Sequence, residues 1–164
     1  LSKLLDDPEA ELNIQYSENN IRVTIKNLIF SAKLIDAKYP DYAKAFNQPF
    51  FNPITLPKQV IKDALARVAI LSNDKIKGVM FDFSKDNIRI SAHNPEHEEA
   101  EEDIAIEYTE EPISIAFNVQ YLVDAISSLD SEDACLRIAS NASTCFIETP
   151  ESQSYKYIVM SMRL

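Results

Sequence analysis

A pattern that occurs twice limits this chain more than any other feature. A short alternating strand leads into an amphipathic helix, and three more alternating strands follow. The first copy has a strand near 51–56 and a helix over 57–71. Its three strands are marked by Val79, Phe81 and Phe83, by Ile88, Ile90 and Ala92, and by Ile104, Ile106 and Tyr108. In the second copy Ile113, Ile115 and Phe117 mark the first strand, the helix spans 119–129, and strands follow near 133–140, 143–149 and 154–162. The helix starts are about 60 residues apart, and similarity at a fixed period signals a repeated unit. Period-two alternation gives each strand one apolar face, and each helix carries an apolar stripe. Two such units bury these faces by pairing antiparallel sheets over two helices. The expected fold is α+β, with the helices on one side.

In the first helix Pro57 suits the first helical position. Val60, Ile61, Ala64, Leu65 and Val68 share the inward side. Gln59, Lys62, Ala66 and Arg67 face outward, joined by Ile70. An apolar residue there is either a contact point or an ordinary exposed side chain. In the second helix Leu122, Val123, Ile126 and Leu129 face inward, with Asn118 as the N-cap.

Residues 12–36 read as three antiparallel strands with one buried face each. Leu12, Ile14 and Tyr16 mark the first strand, Ile21, Val23 and Ile25 the second, and Leu28, Phe30, Ala32 and Leu34 the third. Residues 1–6 read as the tail of a helix, so this segment looks like the end of another repeat unit. The chain is expected to be a piece of something longer. With Pro40, Pro49 and Pro53, residues 37–55 are irregular and read as a linker that runs into the short strand near 51–56. The domain boundary is expected around residues 44–50.

Gly78 is the only glycine in the 164 residues. Phosphate-cradling loops need several, so P-loop and dinucleotide-binding classes drop out. The net charge of −10 lacks the basic excess of a nucleic-acid binder, unless positive charge is gathered on one face. No apolar run approaches a membrane span and no signal peptide is visible, so a soluble cytoplasmic protein is expected. A tight turn at Asn141-Ala142 pairs Ile138 with Cys145 and puts Cys135 and Cys145 on opposite sheet faces. Free buried thiols are therefore expected.

His93 and His97, with Glu96, Glu98 and Glu99, would resemble a metal site on a helix. Asn94-Pro95 interrupts them, and a solvated loop is expected instead. The acidic stretch 96–103 reads as an exposed loop and strand start. No nucleophile, base and orienting group stand together, so no catalytic residue, enzyme activity, metal or cofactor is expected. Lys58, Lys62, Arg67, Lys75 and Lys77 form the most basic stretch. They make either a solvated face or a weak phosphate-facing surface. Residues 157–164 are apolar on both strand faces. One face packs on the core. The other fills core or forms an adaptable groove with Met160 and Met162, and Tyr121 projects from the polar side of the second helix.

Met160-Ser161-Met162-Arg163-Leu164 resembles the Met-Pro-Met-Arg-Leu ending of bacterial DNA sliding clamps, the beta subunits of replicative DNA polymerase III. Tyr39-Pro40-Asp41-Tyr42 resembles the segment that joins their middle and last domains. Ala69-Ile70-Leu71-Ser72-Asn73 with Lys75 and Gly78, Asn94-Pro95-Glu96, and Glu98-Glu99-Ala100-Glu101-Glu102 resemble successive stretches of the last domain. Phe117-Asn118-Val119 and Tyr121-Leu122 resemble its second helix. The matches are in order and span nearly the whole chain.

The resemblance implies the DNA-clamp fold and a homodimeric ring of three-domain protomers. In that ring, residues 1–45 would be the end of the middle domain and 46–164 the whole last domain. The implied role is that of a processivity factor in DNA replication. It encircles duplex DNA non-specifically and tethers the replicative polymerase, the clamp loader, and translesion and repair polymerases through their clamp-binding peptides. By matching position, the peptide groove is Pro40, Lys44, Ala45, Asn118, Tyr121, Ala142, Thr144, Ile158, Val159, Met160, Ser161, Met162, Arg163 and Leu164. Ser161 replaces the family's usual proline, which implies a less rigid ending. Lys44 and Ala45 stand where arginine and valine are common. Ile70 and Leu71 match the dimer interface, and Arg67, Lys75 and Lys77 are the DNA-facing candidates. The rival expectation is an unrelated peptide-binding module that does not encircle DNA.

Overall fold

The computed structural model describes residues 9–39, 41–73, 75–150 and 156–164. The expected helix tail at 1–6, and Pro40, lie outside the described residues. The chain divides into two compact units, Leu1–Asp41 and Tyr42–Leu164.

The first unit is an antiparallel meander of β1 (Leu12–Tyr16), β2 (Asn20–Ile25) and β3 (Leu28–Lys33). Alternation predicts a buried face on every strand, and this expectation fails. Val23 and Ile25 of the central strand are buried, but β1 is exposed along its whole length. Among the described residues of this unit no second layer stacks on the sheet. A single layer of three strands cannot close a core over its own faces.

The second unit begins with a helical turn, α1 (Ala43–Phe46). The first repeat follows as β4 (Ile54–Pro57), α2 (Lys58–Ala69), β5 (Gly78–Ser84), β6 (Asn87–His93) and β7 (Glu99–Ala105). The second repeat is β8 (Ile113–Asn118), α3 (Val119–Ser127), β9 (Asp133–Ile138), β10 (Thr144–Glu148) and β11 (Tyr157–Met160). The two repeats exchange their leading strands. One sheet runs β11-β10-β9-β4, so β4 joins the strands of the second repeat. The other runs β7-β6-β5-β8, so β8 joins those of the first. Ile54 pairs with Leu136, and Val79 with Phe117. The exchange ties the repeats into one body.

Both helices lie against these sheets and share one core. Ile61, Ala64, Leu65 and Val68 of α2 join Leu122, Ala125 and Ile126 of α3. From the strands come Phe81, Phe83, Ile88, Ile90, Phe117, Leu136, Ile138 and Ile147. Phe81 meets Phe117 edge-on at 5.7 Å and stacks with Phe83 at 6.0 Å. Each such side chain contributes about 1.5–3 kcal/mol on full burial.

Local details depart from the expected pattern. Pro57 is the N-cap of α2 and not its first helical residue: it pairs with Asp133 as the end of β4, so its backbone stays extended. Val60 is 45% exposed. It sits roughly 100° around the axis from Ile61, at the margin of the buried stripe. β7 starts at Glu99, inside the acidic stretch, and stops at Ala105, where β6 runs out at Asn87. Beyond it the chain runs on beside the β5–β6 turn: Ile106 N–H donates to the Asp86 carbonyl at 3.1 Å, and Asp86 N–H to the Tyr108 carbonyl at 3.1 Å.

The linker expected ahead of the strand near 51–56 is partly a packed layer. Phe46 stacks on Phe146 at 5.0 Å, and Phe50 lies tilted against it at 4.7 Å. Phe50 bridges to Ala139, and Phe51 N–H donates to the Ile138 carbonyl at 2.9 Å. This layer covers the Phe146 face of β10 while Cys145 and Ile147 join the core, so the strand is buried on both faces. It also draws the start of the second unit to Tyr42, ahead of the expected residue 46.

The hairpin of β9 and β10 has the expected register, with Cys145 opposite Ile138. Cys135 lies opposite Glu148, so the thiols point to opposite faces; both are buried and free. His93 pairs with Glu99 at the end of β6. His97 takes a left-handed φ of 65° in the turn between β6 and β7.

Candidate functional site

At the end of the second unit, α3 and β11 leave an open apolar groove. Asn118 ends β8 in extended backbone and caps α3: its Oδ1 accepts from Gln120 N–H at 2.9 Å and Tyr121 N–H at 3.4 Å. The cap fixes the first turn, which carries Tyr121 outward at 63% exposed. One turn further Asp124 accepts from Gln120 Nε2 at 2.8 Å, leaving the ring of Tyr121 beside Ala125 and Ser128. The opposite wall is β11, an edge strand of its sheet.

Tyr121, Asp124, Ala125, Ser128, Tyr157, Ile158, Val159 and Met160 line this groove of about 380 Å³. Val159 turns into the core, whereas Met160 is 62% exposed. The groove pairs one rigid aromatic wall with a flexible thioether. That combination suits an extended apolar ligand whose shape can vary.

Of the residues expected in a groove, Tyr121, Ile158, Val159 and Met160 are brought together here. Asn118 acts through its cap. Ser161 and Met162 run on from β11: Ser161 N–H donates to the Ser143 carbonyl at 2.9 Å, and Met162 N–H to the Ala116 carbonyl at 2.8 Å. Leu164 lines a separate hollow with Gly78. Thr144 is 1% exposed and its hydroxyl accepts from Gln48 Nε2. The same amide donates to the Ala45 carbonyl at 3.1 Å, linking α1 to β10. Lys44 is exposed on α1, and Ala142 takes the left-handed turn position after β9. Asp124, Ala125, Ser128 and Tyr157 line the groove without having been expected. The first three stand three, four and seven residues after Tyr121, the spacing of one helix face, which was the available signal.

The other candidates lie apart from the groove. Ile70 caps the end of α2 at 78% exposed and lines a hollow of about 320 Å³ with Ser72, Asn73, Lys75, Asn94, Pro95 and Glu96. Leu71 is half-buried. Arg67 Nε donates to Glu102 at 2.6 Å, and the hydrogen bond holds that carboxyl below the usual carboxylate range. Lys75 and Lys77 are exposed on the turn before β5.

Two sheets covering two helices, built from repeats that exchange leading strands, define the DNA-clamp fold of processivity factors. The chain belongs to the DNA polymerase III beta subunit family. Residues 44–163 match its C-terminal domain and residues 1–41 its central domain. The beta sliding clamps of Salmonella typhimurium and Escherichia coli K12 are 38% and 37% identical to it over all 164 residues. The chain spans about 45% of the length of either relative. The crystal structure of the Pseudomonas aeruginosa DNA polymerase III subunit beta is 32% identical, with a TM-score of 0.74 over 99% of this chain and 44% of that one. A P. aeruginosa clamp bound to griselimycin has a TM-score of 0.73 at 32% identity, over 99% of this chain and 44% of that one.

Proposed function

We propose that this chain serves a DNA polymerase processivity factor: a ring that encircles duplex DNA and tethers polymerases through the groove between α3 and β11. Residues 1–41 close a central clamp domain, and Tyr42–Leu164 form a whole last domain. The work is topological. It needs no catalytic residue, cofactor or membrane, and it takes place in the bacterial cytoplasm. The observation that carries this reading is an open apolar groove on a domain that matches the clamp family over residues 44–163. A P. aeruginosa relative was solved bound to griselimycin, which supports a ligand-binding role for a clamp of this family.

Ile70 and Leu71 serve the contact between protomers, where an exposed isoleucine at the end of α2 would be covered. Arg67, Lys75 and Lys77 face the DNA. Few and exchangeable phosphate contacts permit sliding, while the overall charge of −10 repels DNA from the rest of the surface. The replicative polymerase, the clamp loader and repair polymerases present short peptides with apolar and aromatic anchors to the groove.

Fluorescence anisotropy with a labelled Gln-Leu-x-Leu-Phe peptide tests the groove. Micromolar-class binding is expected, about −8 kcal/mol. Tyr121→Ala and Met160→Ala should each weaken it about tenfold, as loss of a central anchor does. Affinity unchanged in both variants would place the peptide elsewhere.

A further inference from the structure

We propose that Gly78 is the seat on which the closing segment locks, and that Leu164 resting on it holds the wall of the groove. Gly78 is the only glycine in the sequence, yet no turn uses it. Lys26, Lys77, Asp86, His97 and Ala142 take the left-handed positions among the described residues. Gly78 is instead buried at the start of β5, opposite Asn118. Glycine in a strand is a poor choice unless something approaches the backbone closely. Here Leu164 does. A β-carbon added at Gly78 would lie 2.2 Å from Leu164 Cδ2 and 3.3 Å from its Cδ1 and Cγ.

The path of the segment shows what the seat does. Met160 pairs with Thr144 on β10, in one sheet. Met162 bridges to Ala116 on β8, in the other. Leu164 then reaches Gly78 on β5, the next strand of that sheet. Within five residues the chain stitches the two sheets together across the end of β11. The stitch has two backbone hydrogen bonds, from Ser161 and Met162, and one side-chain anchor. Leu164 is 53% exposed beside a hollow of about 240 Å³ lined by Asn73, Ile76, His93, Asn94 and Pro95. Half of its surface stays open, so its hold depends on the flat seat beneath. A methyl group at residue 78 meets the far end of a flexible side chain and not the sheet. Alanine there expels Leu164 and leaves β5 intact.

The test is hydrogen exchange of residues 157–164 in the full-length protein, read by mass spectrometry. Parent, Gly78→Ala, Leu164→Ala and the double variant are compared. Each single change should speed exchange of the Ser161 and Met162 amides about tenfold, and the double should add nothing. The unfolding midpoint of Gly78→Ala should not drop, because alanine is preferred to glycine within a strand. Unchanged exchange in Gly78→Ala, or additive effects in the double variant, would overturn the seat. The link to the groove rests on the function proposed above. With a parent that binds the peptide, Gly78→Ala should lose affinity severalfold, and unchanged affinity would refute the link. If the parent binds no peptide but exchange responds as expected, the seat stands and the groove reading fails.

Discussion

Replacing Asn118 by alanine removes the acceptor that closes the first turn of α3. Of its two accepted hydrogen bonds, one is well formed at 2.9 Å and the other is near its limit at 3.4 Å. The loss therefore counts as one cap bond, about 1 kcal/mol. For a unit of this size that lowers Tm by roughly 3–6 °C. The functional consequence is local. Tyr121 sits on the turn that frays, so peptide affinity should fall severalfold. Differential scanning calorimetry and anisotropy titration read the two effects. Asn118→Asp is the control. Its carboxylate caps the same amides and meets the positive end of the helix dipole, so Tm should stay near that of the parent. The Asn118 amide also donates to the Ile76 carbonyl at 3.4 Å, a contact aspartate cannot make. Equal losses in both variants would shift the weight to that contact. An unchanged Tm in Asn118→Ala would refute the cap argument altogether.

Burial raises the Cys145 thiol far above its ordinary value of 9.0, with Cys135 adding to the rise. The folded state keeps its proton where the unfolded chain loses it, so stability is full below pH 9 and falls above it. Denaturant midpoints between pH 7 and 10 should fall more steeply for the parent than for Cys145→Val, and parallel curves would count against this. Glu102→Gln should leave the unfolding midpoint nearly unchanged, because its pair with Arg67 is exposed. It frees Arg67 for phosphate, so low-salt DNA association of the intact protein should rise. No change would remove Arg67 from the DNA-facing set.

Much of the second unit was legible because its signals are local. The cap at Asn118 follows from its place before an apolar stripe, and the pairing of Ile138 with Cys145 follows from a tight turn. The buried positions of α2 and α3 follow from helical spacing, except at the stripe margin, where Val60 stays exposed. The groove was half legible. The sequence points to its wall at Ile158–Met160 and to its aromatic Tyr121, but not to Asp124, Ala125 and Ser128. Those residues are small or polar, and their helical spacing from Tyr121 puts them on one face without showing that β11 lies beside it.

Alternation along each strand determined which face is apolar, and the repeat determined how many strands and helices there are. Neither says which strand sits beside which. β4 and β8 offer the same pattern to either repeat, so only the packed core decided that they exchange. The layer of Phe46 and Phe50 over Phe146, and the seating of Leu164 on Gly78, lie beyond sequence pattern for the same reason. Local propensity is written in neighbouring residues, whereas close approach between distant ones is settled by the shape they fill together.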